Sequence, residues 1–211
     1  MKLSVLGATG GIGRHIVLQA LADGHEVTAA VRDPARLAVQ HENLRVVKAN
    51  ALEAASLKEV VGGSDAVLSG MGAAGRTDPL KPASTSAKAA LEAMADTGVR
   101  RILVVSAGPL NPDGAGQRWL TRAVFGPILW QFLRETYTDL GVMERALRDS
   151  DTDWTVVRPP RLLDSPGTGT YRHLIEAGPV GAMITRADVA RAMLDFVTMP
   201  ETFRHAVGVS R

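Results

Sequence analysis

The stretch Gly7-Ala8-Thr9-Gly10-Gly11-Ile12-Gly13 follows directly on an apolar run, Lys2 to Leu6, and opens a helical pattern. In that pattern Ile12, Ile16, Val17, Ala20 and Leu21 recur at three- and four-residue steps. Asp23-Gly24 closes it, glycine being the common residue just past a helix end. Glu26 to Val31 then predicts a second strand. A strand, a glycine loop, a helix and a strand within about thirty residues make one βαβ unit.

The position of the glycines matters more than their number. Directly after a strand, they let the backbone turn tightly and lie close to a pyrophosphate. The helix that follows offers unpaired N–H groups and a partial positive charge to the same anion. The sequence therefore predicts a dinucleotide loop at Gly7, Thr9, Gly10, Gly11, Ile12 and Gly13. The competing reading is a plain glycine-rich turn, and the flanking strand and helix argue against it.

The alternation continues downstream. Strands are predicted at Leu44 to Lys48, Ala66 to Leu68, Arg101 to Val105, Trp154 to Val157 and Arg204 to Val209. Helices are predicted at Ala54 to Val61, at Ala83 to Thr97 and at Arg186 to Val197. The last is opened by Thr185 as N-cap, with Asp188 three residues on. Such alternation implies an α/β fold of the Rossmann type, a doubly wound and mostly parallel sheet covered on both faces. Residues 1–211 read as a single domain with substrate-side elaboration near 107–137 and 159–184. Gly-, Pro- and Ser-rich stretches at 70–86, 107–118 and 159–170 fall after strands four, five and six. In this fold those are the carboxyl-end loops, where ligands bind. Trp154 and Phe196 read as core.

Composition narrows the chemistry. There is no cysteine, which excludes disulfides, iron–sulfur clusters and thiol catalysis and fits a cytoplasmic location. The net charge is only +2 and no dense basic run occurs, so no nucleic-acid partner is expected. The first residues already read as a core strand, leaving no room for a signal peptide, and no apolar run is long enough to span a membrane. The five histidines, at 15, 25, 41, 173 and 205, show no ligand spacing, so no metal is expected.

Which dinucleotide binds is read at the end of the second strand. An NAD site usually places an acid there to hold the ribose 2′-hydroxyl. This chain has Arg32, whose guanidinium suits a 2′-phosphate and so favours NADP(H), with Arg14 and Arg36 near enough to assist. Asp33 could be the ribose acid. It reads better as an N-cap, because Pro34 follows it.

The loop Gly7 to Gly13, Val31-Arg32-Asp33-Pro34 and Val104-Val105-Ser106-Ala107 resemble the atypical short-chain dehydrogenase/reductase superfamily. So do Thr155-Val156-Val157-Arg158-Pro159-Pro160-Arg161 and Gly167-Thr168-Gly169. Within it, the chain is most similar to the NmrA-like and biliverdin reductase B/flavin reductase group, over nearly its whole length. The resemblance implies further contacts. Asn50-Ala51-Leu52 matches a Gly-Asp-hydrophobic motif whose polar side chain meets the adenine, here with an amide in place of the acid; a simple loop residue is the other reading. Gly70-Met71-Gly72 matches the segment beneath the nicotinamide-side ribose. Ser106 matches a serine near the nicotinamide that bonds the carboxamide or a substrate carbonyl; a strand-end hydroxyl capping its own backbone is the alternative. Arg161 stands where bilin and flavin reductases carry a histidine, and either binds an anionic substrate group or forms a structural ion pair. Pro159 and Pro160 would fix the loop bordering the nicotinamide. Arg158 reads as structural.

Many members of the superfamily use a Tyr-x-x-x-Lys pair, in which lysine lowers the phenol pKa. Tyr137 is followed four residues later by Gly141 and Tyr171 by Ile175, so the pair is missing. A reductase of this kind draws its proton from solvent or substrate. That suits a small-molecule acceptor that is planar and conjugated, such as a flavin, quinone or bilin. The alternative function is a non-catalytic NADP(H)-binding redox sensor or partner-binding protein; an assembly factor is a third. Five of the nine aromatic residues fall between Trp119 and Tyr137. That segment reads as a substrate lid, a dimer or membrane-surface element, or ordinary packing, with Gly126-Pro127 breaking its helix. A monomer and a homodimer both fit.

Overall fold

The computed structural model describes residues 1–72, 78–108 and 126–211, with side chains from Arg134 onward in the last stretch. Among the described residues ten strands form: β1 (Lys2–Leu6), β2 (Glu26–Val31), β3 (Leu44–Lys48), β4 (Ala66–Ser69), β5 (Arg101–Val105), β6 (Asp153–Arg158), β7 (Arg161–Leu163), β8 (Arg172–Ile175), β9 (Met183–Thr185) and β10 (His205–Ser210). Five helices accompany them: α1 (Gly11–Ala22), α2 (Ala54–Val61), α3 (Pro82–Thr97), α4 (Gly126–Arg148) and α5 (Arg186–Phe196).

Eight strands lie in one sheet, in the order β3-β2-β1-β4-β5-β6-β10-β8. Every pairing is parallel except that of β8 on β10. This is the doubly wound α/β arrangement expected from the alternation. The chain runs outward from β1 to β3, then crosses back to lay β4 beside β1. The carboxyl ends of β1 and β4 therefore flank the point where the winding reverses, and a crevice opens there.

The period-two alternation of the strands divides the core. Leu3, Val5, Leu68, Leu103, Val157 and Val207 point to the face covered by α1 and α5. Leu6, Val67, Ile102, Val104, Val156 and Ala206 point to the face covered by α2, α3 and α4. All five apolar positions read for α1 are buried, and Phe196 and Trp154 are core. Burying a side chain of the size of Phe196 contributes about 2–3 kcal/mol. The small residues Ala83, Ala87, Ala90 and Ala93 let α3 pack closely on its neighbours.

Three features depart from the sequence reading. Between strand six and the last helix the chain adds β7 and β9, paired parallel to each other outside the main sheet, and β8 at its edge. These are three or four residues long, too short to announce themselves by alternation. The second is α4, which begins at Gly126 and runs to Arg148. The residues before Gly126 lie outside the described ones, so the expected break at Gly126-Pro127 falls at the edge of what the structure describes. The third concerns only the lid alternative for the aromatic segment: Tyr137 is buried with Leu140, Met143 and Leu147 against α3, which for this residue is the ordinary-packing alternative. Residues 109–125, Trp119 and Phe125 among them, lie outside the described residues, as do the side chains of Trp130 and Phe132.

Asp139 fixes α4 on α3. Its two carboxylate oxygens accept the N–H groups of Ala83 and Ser84, each at 3.0 Å. A buried carboxylate from one helix thus caps the amino end of another.

Candidate dinucleotide-binding site

The glycine loop is held by contacts that a side chain would forbid. Gly7 has φ of +73°, and its carbonyl accepts the Gly10 N–H at 2.8 Å. A Cβ on Gly13 would lie 2.1 Å from that carbonyl oxygen, and one on Gly70 would lie 2.9 Å from the Gly13 nitrogen. The ends of β1 and β4 and the start of α1 therefore meet backbone to backbone. Ile12 is buried and anchors the helix, while Thr9, Gly10 and Gly11 face outward.

The amino end of α1 is left open. Its N-cap, Gly10, brings no side chain, and the first turn carries no acid. The first intrahelical bond is Arg14 N–H to Gly10 O at 3.0 Å. The N–H groups of Gly11, Ile12 and Gly13 are thus without an intrahelical acceptor. A cradle that any Cβ would fill, with three donors at its mouth, fits the pyrophosphate of a dinucleotide.

Around it stand the other predicted residues. Arg32 is exposed just past β2, and its side chain has no partner among the described residues. Asp33 caps the short turn Pro34–Arg36, accepting the Ala35 N–H at 3.1 Å. Asn50 has its amide engaged within its own loop. It donates to Glu53 at 2.6 Å and accepts the Leu52 N–H at 3.2 Å, next to the buried Ala51. Met71 follows Gly70 and packs partly buried against the core, while Gly72 is open on every side within 4 Å.

At the end of β5 the construction changes character. Ser106 is 7 % exposed, and its hydroxyl donates to Glu144 Oε1 at 2.6 Å. Arg158, at the end of β6, grips both oxygens of Glu144 at 3.1 and 2.6 Å, and Arg148 adds a bond of 2.9 Å from the solvent side. Arg158 is accordingly a structural partner of Glu144. Pro159 O accepts the Gly108 N–H at 2.9 Å, which ties the loops after β5 and β6 together. Arg161 starts β7, exposed, with no side-chain partner among the described residues. Ser106 and Pro159 are thus brought to one place, whereas Arg161 stands outside the buried network.

Two carboxylates make buried contacts that the sequence did not announce. Glu144 lies 38 residues from Ser106 in an unremarked helix. Asp188 is 1 % exposed and accepts the N–H groups of Thr168 and Gly169 at 2.8 and 2.9 Å. It pins the Gly167-Thr168-Gly169 segment onto α5, whose N-cap Thr185 in turn accepts the Asp188 N–H at 3.0 Å. The capping pattern was legible; the loop on the other side of the carboxylate was not.

Neither tyrosine is poised as an acid near neutrality. Burial pushes the Tyr137 phenol up. Burial and a hydrogen bond to Asp195 push the Tyr171 phenol up. A shallow depression of about 630 Å³ at the opposite, amino end of the strands includes Asp65, Arg100 and Arg101. The Arg101 guanidinium there is already bonded to the carbonyls of Asp153, at the start of β6, and of Phe196 and Val197, at the end of α5. Among the described residues no helix is long and apolar enough to cross a membrane.

The architecture is that of a Rossmann-type NAD(P)-binding protein. Residues 7–200 match the NAD(P)H-binding family, and the chain belongs to it. It is 30 % identical over 209 residues to YwnB of Bacillus subtilis, covering 95 % of this chain and 94 % of that one. It is 30 % identical over 202 residues to a (4-alkanoyl-5-oxo-2,5-dihydrofuran-3-yl)methyl phosphate reductase of Streptomyces griseus, covering 92 % of this chain and 62 % of that one. Among solved structures it resembles SP1627 of Streptococcus pneumoniae, a candidate NADH-flavin reductase. That match has a TM-score of 0.79 and 28 % identity, over 99 % of this chain and 98 % of the other.

Proposed function

We propose that the protein is an NADPH-dependent reductase that delivers hydride to a planar conjugated acceptor of the flavin, quinone or bilin type. The observation that carries the acceptor class is the Ser106–Glu144 bond. The one hydroxyl at the end of β5 already gives its proton to a carboxylate, and both phenols are held protonated elsewhere. The described residues supply no acid to the acceptor. An electron-poor ring system that takes hydride first and a proton from solvent afterwards matches that arrangement. Similarity to a candidate NADH-flavin reductase supports the same reading.

The bound dinucleotide supplies the hydride; the chain supplies position. Gly7, Thr9, Gly10, Gly11, Ile12 and Gly13 hold the pyrophosphate, chiefly by backbone N–H groups. Arg32 holds the 2′-phosphate, and the engagement of Asp33 in its own cap removes the acid that would favour NAD. Asn50, Ala51 and Leu52 border the adenine, and Gly70, Met71 and Gly72 the nicotinamide-side ribose. Ser106, with its proton committed to Glu144, has lone pairs left to accept from the nicotinamide carboxamide. Pro159 walls the ring, and Arg161 binds an anionic group of the acceptor.

The test is the loss of reduced-nicotinamide absorbance in stopped flow with FMN, menadione or biliverdin, using NADPH and then NADH. Rapid oxidation of NADPH by one of the three is the expected result. A protein that binds NADPH tightly yet oxidises it with none of them is not a reductase of this class.

A further inference from the structure

The amino end of α1 has a neighbour that the glycine motif does not announce. Arg186, the first residue of α5, lays its side chain across Gly11. A Cβ on Gly11 would sit 2.5 Å from Arg186 Cδ and 2.7 Å from Nε. Only glycine at that position leaves the guanidinium this room. The side chain is 28 % exposed and pairs with Asp164, which follows β7 and is itself 88 % exposed. A pair so open to water is weak and readily exchanged.

Two positive fields therefore converge: the open helix end, with its three free N–H groups, and a guanidinium resting on its first residue. Without an anion between them this placement is unfavourable, and the exposed Asp164 offsets it only in part. We propose that Arg186 is a second clamp on the diphosphate of the dinucleotide, approaching from α5 while the glycine loop approaches from β1. Asp164 acts as a positioning residue that holds the guanidinium in place before the dinucleotide arrives. The inference rests on the dinucleotide reading of the site and adds to it a contact made by a distant part of the chain. It also divides the labour between arginines. Arg186 serves the diphosphate common to both dinucleotides, and Arg32 serves the 2′-phosphate that distinguishes them.

The experiment measures dissociation constants for NADPH, NADH and adenosine 2′-monophosphate with the wild type, Arg186→Ala and Arg186→Lys. The alanine variant is expected to weaken NADPH and NADH alike, by about tenfold, as loss of a charge-assisted bond implies. The ratio between the two dinucleotides stays as in the wild type. Adenosine 2′-monophosphate, which has no diphosphate, binds as before, and the lysine variant recovers part of the loss. Unchanged dinucleotide affinity in Arg186→Ala overturns the clamp. So does an equal weakening of adenosine 2′-monophosphate, which would mean a general distortion of the site. A wild-type protein that binds neither dinucleotide fails differently: it removes the dinucleotide reading itself, and the clamp with it.

Discussion

The two ends of the candidate site are built from opposite materials. At β1 and α1 the ligand cradle is backbone, made by leaving side chains out: Gly7, Gly13 and Gly70 touch one another directly. At β5 and β6 the support is side chain, made by bringing charges in: Ser106, Glu144 and Arg158 are all at most 7 % exposed, and Glu144 bonds to both of the others. The first design resists any added atom. The second resists any removed one. Substitutions at the two ends should therefore fail in different ways.

The largest effect on stability is expected from Glu144→Ala. It leaves Arg158 buried without its carboxylate and should cost about 3–5 kcal/mol in urea unfolding. Glu144→Gln, which keeps an acceptor, should cost less. Arg32→Ala comes next, and acts on binding alone. NADPH should weaken about tenfold or more while NADH barely changes, read from the two dissociation constants. An unchanged preference would remove the 2′-phosphate assignment. Gly13→Ala forces a methyl against the Gly7 carbonyl and should cost about 1–3 kcal/mol of stability, with a larger loss of dinucleotide affinity. If Gly13→Ala and Glu144→Ala lowered stability and affinity in the same proportion, the contrast between the two ends would be broken.

The smallest effect concerns pH. Burial and the Asp195 bond make the folded Tyr171 phenol ionise above 10.0, the ordinary value of a phenol, which the unfolded chain keeps. Its contribution is present in full below that pH. It is lost as pH rises beyond it, because the unfolded chain sheds the proton first. Tyr171→Phe should therefore have a shallower decline of unfolding free energy in alkaline buffer than the wild type. Parallel curves would show that the hydroxyl is not responsible.

The same contrast explains what the sequence made legible. The glycine end is local: a strand, a loop and a helix within one short segment, where each missing side chain is visible as a glycine. The helix and strand alternation that sets β1 to β6 is local too. The Asp33-Pro34 cap was readable for the same reason, lying in adjacent residues at one strand end. The charged end is not local. Glu144 reaches Ser106 and Arg158 only because α4 docks on α3 and crosses near the ends of β5 and β6, and no spacing rule in the chain encodes that encounter. Arg186 is hidden in the same manner, since its place over Gly11 depends on α5 returning to pack against α1. For Tyr137 the clustered aromatics left a cover among the alternatives, but helical periodicity puts this one on the inward face with Leu140.

Asp139 has a bearing on selectivity. Both α1 and α3 follow strands of the central sheet, α1 at once after β1 and α3 twelve residues after β4, and the amino end of each would by itself attract an anion. At α3 the attraction is already satisfied, because the Asp139 carboxylate occupies the donors of Ala83 and Ser84. A phosphate drifting along that edge meets a built-in negative charge at one helix and bare donors at the other. An anion arriving at α3 would have to displace Asp139, whereas the first turn of α1 carries no acid.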